Sequence, residues 1–312
     1  MPKIRNRDRL IGLGLLGAFA LLASVLLESA PTTLPAPYSP LFAISPVPTI
    51  PARLATERVY FPLIAKTEPV PARGVSLLVE KCEGLGLLRA GWYFNGTPQS
   101  FCSNAPFVPM IPDHNWQAGW LDVALAEGRK SGWLLGYNEP NLPYPPGSGQ
   151  PNMSPRLAAQ KWHEIEMRAA GVRLVSPATS QHNPGWLWEM VTEYQILYGR
   201  RPRFDAIAWH TYYASPNTHR NYLLARRHEA LARGYDVPFW LTEFGGACWD
   251  GVRSNSLNVI LQLLPWLEAQ PWIGRYAWFS TEITGDEPWA SPGWRECALV
   301  RDGALTALGG KY

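Results

Sequence analysis

Two glutamates follow apolar runs that are typical of buried strands. Glu139 lies in WLLGYNEPN and Glu243 in PFWLTEFGG, each near the end of the apolar run. Pro140 removes a backbone N–H donor, which ends the first run, and it biases Glu139 toward extended backbone angles. A pair of carboxylic acids is the minimum equipment for cleaving a glycosidic bond. These two residues therefore predict glycoside hydrolysis if the fold brings them together.

The elements that would position them begin at Gly74, where short apolar runs start to alternate with helical stretches. This alternation is typical of a parallel sheet. Eight strands are predicted, at 74–79, 87–94, 107–111, 133–138, 173–176, 206–212, 239–243 and 276–280. Segment 297–300 is an alternative to the first strand, because the first connection leaves room for only a very short helix.

Four helices are readable between these strands. Ser154 as cap and Pro155 in the first turn predict a helix that ends at Gly171, and three more are predicted over 184–198, 217–233 and 254–269. Residues 74–312 are close in number to the ~250 of a (β/α)8 TIM barrel. We therefore predict this α/β fold without a second folded domain, with both glutamates at the C-terminal face, Glu139 after the fourth strand and Glu243 after the seventh.

The charge and the N-terminus predict export. The formal net charge of +3 comes from basic residues among the first nine, so the rest lacks the concentrated basic face that nucleic acid requires. The uncharged apolar run 10–27 is longer than the ~7–15 residues of a signal core and close to the ~17 that span a bilayer. We favour an uncleaved signal anchor at 1–30 over a removed signal peptide. A Pro-rich linker at 31–73 follows, with an apolar patch at 59–65. Because the basic residues precede the apolar run, we expect the domain to lie outside the cytoplasm.

Four cysteines and six histidines show no CxxC or HExxH spacing, so we predict no metal site and no cofactor. Outside the cytosol the cysteines could pair. The short intervening loop favours Cys82 with Cys102, which leaves Cys248 with Cys297, and four free thiols are the alternative.

The order of several motifs carries a resemblance to a known family. They are FVPM at 107–110, GYNEPN at 136–141, NMSP at 152–155, LVSPA at 174–178, WLTEFG at 240–245 and LPWLEAQPWIGRYAWF at 264–279. Together they resemble the Asl1-like glycoside hydrolases, the small β-1,3-glucanases of glycoside hydrolase family 128, over nearly all of 74–312. The resemblance implies a retaining reaction with Glu139 as acid/base and Glu243 as nucleophile. It also implies that Asn138 binds the sugar 2-hydroxyl.

Further site residues follow from the same strands. His210 and Tyr212 share a strand face, where Tyr212 could donate to Glu243 and His210 could bind a sugar hydroxyl or orient a carboxylate; core packing is the alternative. Trp92 and Trp278, at or near strand ends, are candidate sugar-stacking platforms or core residues. We expect apolar surroundings to keep one glutamate, Glu139, protonated and hydrogen bonds to keep Glu243 charged.

Two features leave questions open. Strict strand alternation puts Asn138 and Glu139 on opposite faces, so both can face one site only if the strand twists or bulges. The chain also has Thr211 and the pair Pro112–Asp113 where the family usually has Trp and Trp-Gly, which leaves the exact glycan open. We expect a monomer acting on a polysaccharide or oligosaccharide, with another β-linked glycan, or a carbohydrate-binding barrel without activity, as alternatives.

Overall fold

The computed structural model describes residues 72–78, 81–115, 119–143, 150–284, 287 and 290–312. The predicted anchor at 1–30, the apolar patch at 59–65 and all of the linker up to residue 71 lie outside these ranges. Within them, no helix has the length and the hydropathy of a membrane span.

Seven short strands carry the fold, and a small hairpin follows them. The strands are β1 Arg73–Ser76, β2 Tyr93–Phe94, β3 Trp133–Leu135, β4 Arg173–Val175, β5 Ile207–Tyr212, β6 Phe239–Gly245 and β7 Ile273–Trp278, and the hairpin consists of β8 Val300–Arg301 and β9 Ala304–Leu305.

The pairings among β1 to β7 are all parallel. Five strands form one sheet in the order β2-β1-β7-β6-β5, and β3 pairs with β4. Isolated parallel bridges connect Tyr93 to Phe107, Met110 to Leu135 and Val175 to Ala206. Segment 107–110 therefore lies between β2 and β3, as the sequence predicts for its third strand. The fold is α/β with parallel strands.

Six α-helices connect these strands: α1 Glu83–Leu87, α2 Trp120–Ser131, α3 Pro155–Arg168, α4 Trp186–Tyr198, α5 Pro216–Ala232 and α6 Arg253–Ala269. The cap of α3 is as predicted, since Ser154 Oγ accepts from the Leu157 N–H at 3.3 Å. Helix α2 was not predicted. Its first turn follows Gly119, at φ 85°, which offers no side-chain cap to read in the sequence.

Two strand predictions need correction. Residues 87–94 are not one strand, because Leu87 ends α1, Arg89 lies at φ 50° and extended pairing starts only at Tyr93. The alternative first strand at 297–300 is also wrong: Val300 pairs with Leu305 in an antiparallel hairpin. The first parallel strand is β1, and α1 is the very short helix that this arrangement requires.

Apolar side chains cover both faces of the strands, as expected for parallel strands buried on both sides. One buried cluster comes from the strands and the segments next to them, and it includes Trp92, Trp133 and Trp240. The other joins the strands to the helices. Gly74 shows how close this packing is, since a Cβ there would lie 2.3 Å from the Trp92 indole nitrogen.

Candidate active site

Glu243 is positioned by the pairing of β5 with β6. The register shifts after Trp209, so that His210 lies opposite Glu243 and Tyr212 opposite Gly245. This irregularity brings His210 and Tyr212 to the nucleophile candidate, and the Tyr212 hydroxyl donates to Glu243 Oε2 at 2.7 Å. Glu243 is buried, with 7% of its surface exposed. The predicted contact between Tyr212 and Glu243 is therefore present.

Glu139 reaches the site by a different backbone route. Strand β3 ends at Leu135, and Glu139 has a φ of 42°, not the extended angle that Pro140 predicted. Two backbone hydrogen bonds hold the turn: Asn138 N–H donates to Pro112 O and Glu139 N–H to Ala178 O, each at 2.9 Å. A left-handed residue here costs about 1–3 kcal/mol. It breaks the strict alternation of faces and turns the Glu139 carboxylate to His210, while Asn138 remains next to it, half-buried.

His210 lies between the two carboxylates. Its Nδ1 is 3.1 Å from Glu139 Oε1 and 3.3 Å from Glu243 Oε2, and its Nε2 is 3.0 Å from Thr242 Oγ1. One ligand atom from each of Glu139, His210 and Glu243 lies within 4.8 Å of the others. A protonated Nδ1 can donate to either carboxylate. Both ring nitrogens therefore have protein groups within hydrogen-bonding distance.

Burial decides the electrostatics of this cluster. It raises the pKa of Glu243 to about 7, against the charge of His210 and the Tyr212 hydrogen bond, which lower it; the negative charge of Glu139 raises it further. Burial alone would lower the pKa of His210, but the charges of both glutamates raise it above its ordinary value. Burial therefore opposes the charged form of Glu243, while the Tyr212 hydrogen bond and the charge of His210 favour it.

Comparison with known proteins identifies the family of this chain. The family model of the glycosyl hydrolase catalytic core matches residues 86–312. The chain belongs to the glycosyl hydrolase catalytic-core family. No curated protein sequence matches it. The resemblance to glycoside hydrolase family 128 is confirmed by solved structures.

Three crystal structures of that family illustrate the similarity of this catalytic core. A curdlan-specific exo-β-1,3-glucanase from Blastomyces gilchristii is 25% identical, with a TM-score of 0.62, over 77% of this chain and 96% of that one. An endo-β-1,3-glucanase from Pseudomonas viridiflava is 28% identical, with a TM-score of 0.59, over 77% and 96%. An endo-β-1,3-glucanase from Amycolatopsis mediterranei in complex with laminaritriose is 26% identical, with a TM-score of 0.60, over 77% and 97%.

Gln150 is a site residue that the sequence analysis missed. Gln150 Nε2 donates to Glu139 Oε2 at 3.2 Å. Gln150 lies in the irregular segment before α3, where no periodicity marks a residue as facing inward. The one available signal is its position between GYNEPN and NMSP, two motifs that flank the site.

The two tryptophans predicted as stacking platforms are core residues in this catalytic core. Trp92 and Trp278 are both 0% exposed. The Trp92 indole N–H donates to Ala72 O at 3.1 Å and that of Trp278 to Cys297 O at 2.8 Å. Since no face of either ring is accessible, neither can stack on a sugar. Their positions at or near strand ends did not indicate the direction of the side chain.

Both predicted disulfides are present, and the site residues have side chains of the kinds that can bind a metal ion. Cys82 is joined to Cys102 and Cys248 to Cys297, and the described residues contain no free cysteine. In the described part of the chain, Glu139, His210 and Glu243 form one cluster with potential metal-ligand chemistry. When His210 Nδ1 carries a proton, it can donate to either acid and has no lone pair for a cation.

Proposed function

We propose that this chain is a retaining hydrolase of β-linked glucan, most directly β-1,3-glucan, with Glu139 as acid/base and Glu243 as nucleophile. The convergence of their buried carboxylate oxygens within 4.8 Å is the observation that carries the proposal. Retaining enzymes place the two carboxyl groups about 5–5.5 Å apart, whereas inverting enzymes need about 6.5–9.5 Å to admit a water. The close approach of the two carboxylates supports the retaining geometry.

In the first step Glu243 Oε2 bonds to the anomeric carbon while the glycosidic C–O bond breaks. Glu139 gives its proton to the leaving oxygen, so the departing sugar leaves as an alcohol. Tyr212 and His210 hold the attacking carboxylate and lower its pKa against burial. Asn138, next to Glu139, is proposed to bind the 2-hydroxyl of the reacting sugar.

In the second step water attacks the anomeric carbon of the glycosyl-enzyme. Glu139, now ionised, takes the proton from this water, and Glu243 leaves as a carboxylate. Both changes occur around one histidine, which can share its Nδ1 proton with whichever acid is charged. The two inversions together retain the β configuration.

The proposed scaffold is a closed (β/α)8 barrel at 74–312. The pairings support it, since they run from β1 through β2, segment 107–110, β3, β4, β5 and β6 to β7, which pairs with β1 again. We further propose that the segments at 1–30 and 31–73 export or tether this domain outside the cytoplasm, where a polysaccharide is accessible. The β-1,3-glucan assignment is supported by the activities of the similar structures.

The proposal is tested by measuring reducing ends released from β-1,3-glucan, β-1,4-glucan, xylan and chitin. We expect release from β-1,3-glucan. Glu139→Gln should lower the rate by at least about 100-fold, because general acid/base groups contribute 10²–10⁴. Glu243→Gln should lower it at least as much, because it removes the nucleophile that forms the glycosyl-enzyme. Proton NMR of the first product should show the β anomer.

Glu166→Gln is a matched control, because this side chain is 8% exposed and bonds to Tyr194 and Arg200 between helices instead of at the site. It should retain activity once folding is verified by thermal unfolding. An α-anomer as first product would exclude retention. Binding of glucan without cleavage by the wild type would favour a carbohydrate-binding role.

A further inference from the structure

An exposed tryptophan lies close to the nucleophile. Trp249 is 47% exposed and belongs to the single-turn 3₁₀ helix Cys248–Asp250, directly after β6. Its ring centroid is 6.4 Å from that of Tyr212, whose hydroxyl donates to Glu243. Trp249 is therefore one phenol ring and one hydrogen bond away from the carboxylate that would attack the sugar.

A second tryptophan extends this aromatic surface. Trp294 comes from the 3₁₀ helix Pro292–Cys297, after β7. Its ring centroid is 6.2 Å from Trp249 and 5.3 Å from Tyr212, and 5.8 Å from Phe279. The rings form one contiguous group that we call the aromatic wall: Tyr212, Trp249, Phe279 and Trp294. In contrast to Trp92 and Trp278, the wall has an accessible face at Trp249.

The two short helices that carry the wall are fastened to each other. The Cys248–Cys297 disulfide joins the residue before Trp249 to the end of the helix that holds Trp294. Their backbones also approach closely, because a Cβ at Gly293 would lie 2.7 Å from Trp249 O and 2.6 Å from Gly251 N. An exposed indole held in this way loses little conformational entropy when it binds a ligand.

We infer that Trp249 is a sugar-stacking platform that binds a glucose unit of the substrate next to the point of cleavage, and that the Cys248–Cys297 disulfide positions it. The inference rests on the proposed function, since it names a binding subsite of the same cleft. A β-linked glucose ring presents axial C–H groups on its faces, and indole combines a large apolar face with a polar edge. Such a platform recognises the shape of the sugar and contributes to binding, while Glu139 and Glu243 break the bond.

The test measures affinity for laminarihexaose by isothermal titration calorimetry, with Glu139→Gln in every protein so that no substrate is consumed. We expect Trp249→Ala to weaken binding about tenfold, which is the size of one aromatic contact. Trp249→Phe should restore part of the affinity. Leu261→Ala, on the outer side of α6 and 53% exposed, is the matched control and should bind as the parent does.

The positioning role of the Cys248–Cys297 disulfide is tested separately. The double variant Cys248→Ser, Cys297→Ser should weaken binding in the same direction as Trp249→Ala, whereas Cys82→Ser, Cys102→Ser should leave it unchanged. Each variant is first verified by its thermal unfolding. Equal losses in both double variants would overturn the positioning role of the Cys248–Cys297 pair.

With active enzyme, Trp249→Ala should raise KM for β-1,3-glucan several-fold with little change in kcat, because uniform binding is lost. An unchanged affinity and KM would overturn the inference while leaving the hydrolase intact. If the wild type cleaves no glucan but Trp249→Ala still weakens laminarihexaose binding, the proposed function fails and the platform stands.

Discussion

The two glutamates approach one histidine from very different pieces of backbone. Glu243 lies within β6, which pairs on both sides with β5 and β7, and the Cys248–Cys297 disulfide fastens the segment just after it. Glu139 lies beyond the end of the three-residue β3, at a positive φ, with Gln150 from an irregular segment as a partner. One acid is thus built into the sheet and the other is carried on a turn.

This difference matches the different demands of the two roles that we propose for these glutamates. A nucleophile forms a bond at one place, and an error of 1 Å in its position can cost about 100-fold in rate. An acid/base must exchange a proton with two partners in succession, first the leaving oxygen and then water, so it benefits from hydrogen bonds that can rearrange. The side-chain amide of Gln150 provides one such hydrogen bond.

The largest predicted effect separates the two roles directly. Glu139→Ala and Glu243→Ala should each lose activity on glucan, by about 10³-fold or more if the reaction needs both. Azide should rescue them differently. In Glu139→Ala it replaces water and gives the β-glycosyl azide, while in Glu243→Ala it replaces the nucleophile and gives the α-glycosyl azide.

Product NMR of the two azide reactions distinguishes the anomers. If the anomers are exchanged between the two variants, the roles of Glu139 and Glu243 are exchanged as well. Azide added to the Glu166→Gln control should change neither its rate nor its product.

The second prediction concerns stability, where the burial of Glu243 has a cost. Its pKa rises from the ordinary carboxyl value to about 7 on folding, so the folded chain holds this proton more tightly than the unfolded chain. Stability is then fully present below about pH 4.5 and falls as the pH rises through about 7, by about 3 kcal/mol. Glu243→Gln should remove most of this loss and be more stable than the wild type above pH 7.

Chemical denaturation at pH 4.5 and pH 8 measures the difference between wild type and variant. A wild-type free energy of unfolding that rises from pH 4.5 to 8, with no gain from Glu243→Gln, would contradict the raised pKa.

The contrast between the glutamates also explains which features the sequence could reveal. Glu243, α3 and the strand order follow from periodicity, caps and apolar runs, because these are local signals. Even the pairing of Tyr212 with Glu243 follows from neighbouring strands. The left-handed turn at Glu139 is not readable, since tertiary contacts with Pro112 and Ala178 override the preference before proline.

The tryptophans show the complementary error. Trp92 and Trp249 are the same residue type near strand ends, yet the first is sealed in the core and the second is exposed. Which one is exposed depends on how the residue before β2 packs and on a disulfide between distant helices. Neither is fixed by local sequence, so positions at or near strand ends could not show that Trp92 and Trp278 are buried.

The third prediction tests Glu243, the glutamate that is built into the sheet. The acidic limb of kcat/KM against pH reports the ionisation of Glu243 in the free enzyme, so activity should rise as the pH increases through about 7. Tyr212→Phe keeps the ring in contact with Trp294 but removes a hydrogen bond that lowers this pKa. The acidic limb should therefore move to higher pH by roughly half to one unit. A limb that stays in place while kcat falls would show that the hydroxyl acts on the sugar instead.

The smallest predicted effect concerns Gln150, the partner of Glu139. Gln150 Nε2 donates to the Glu139 carboxylate, and after rotation of the amide its oxygen could accept from the protonated acid, so the residue can serve both states. Gln150→Leu should lower kcat a few-fold. Gln150→Asn should not fully compensate, since its shorter side chain does not extend as far toward Glu139.

Burst kinetics locate the affected step. Substrates with a good leaving group need no acid in the first step, so with them the loss should be confined to the second, hydrolytic step. It should appear as a slower steady state after an unchanged burst. An equal loss in burst and steady state would mean that Gln150 shapes the cleft and has no part in the proton transfer at Glu139.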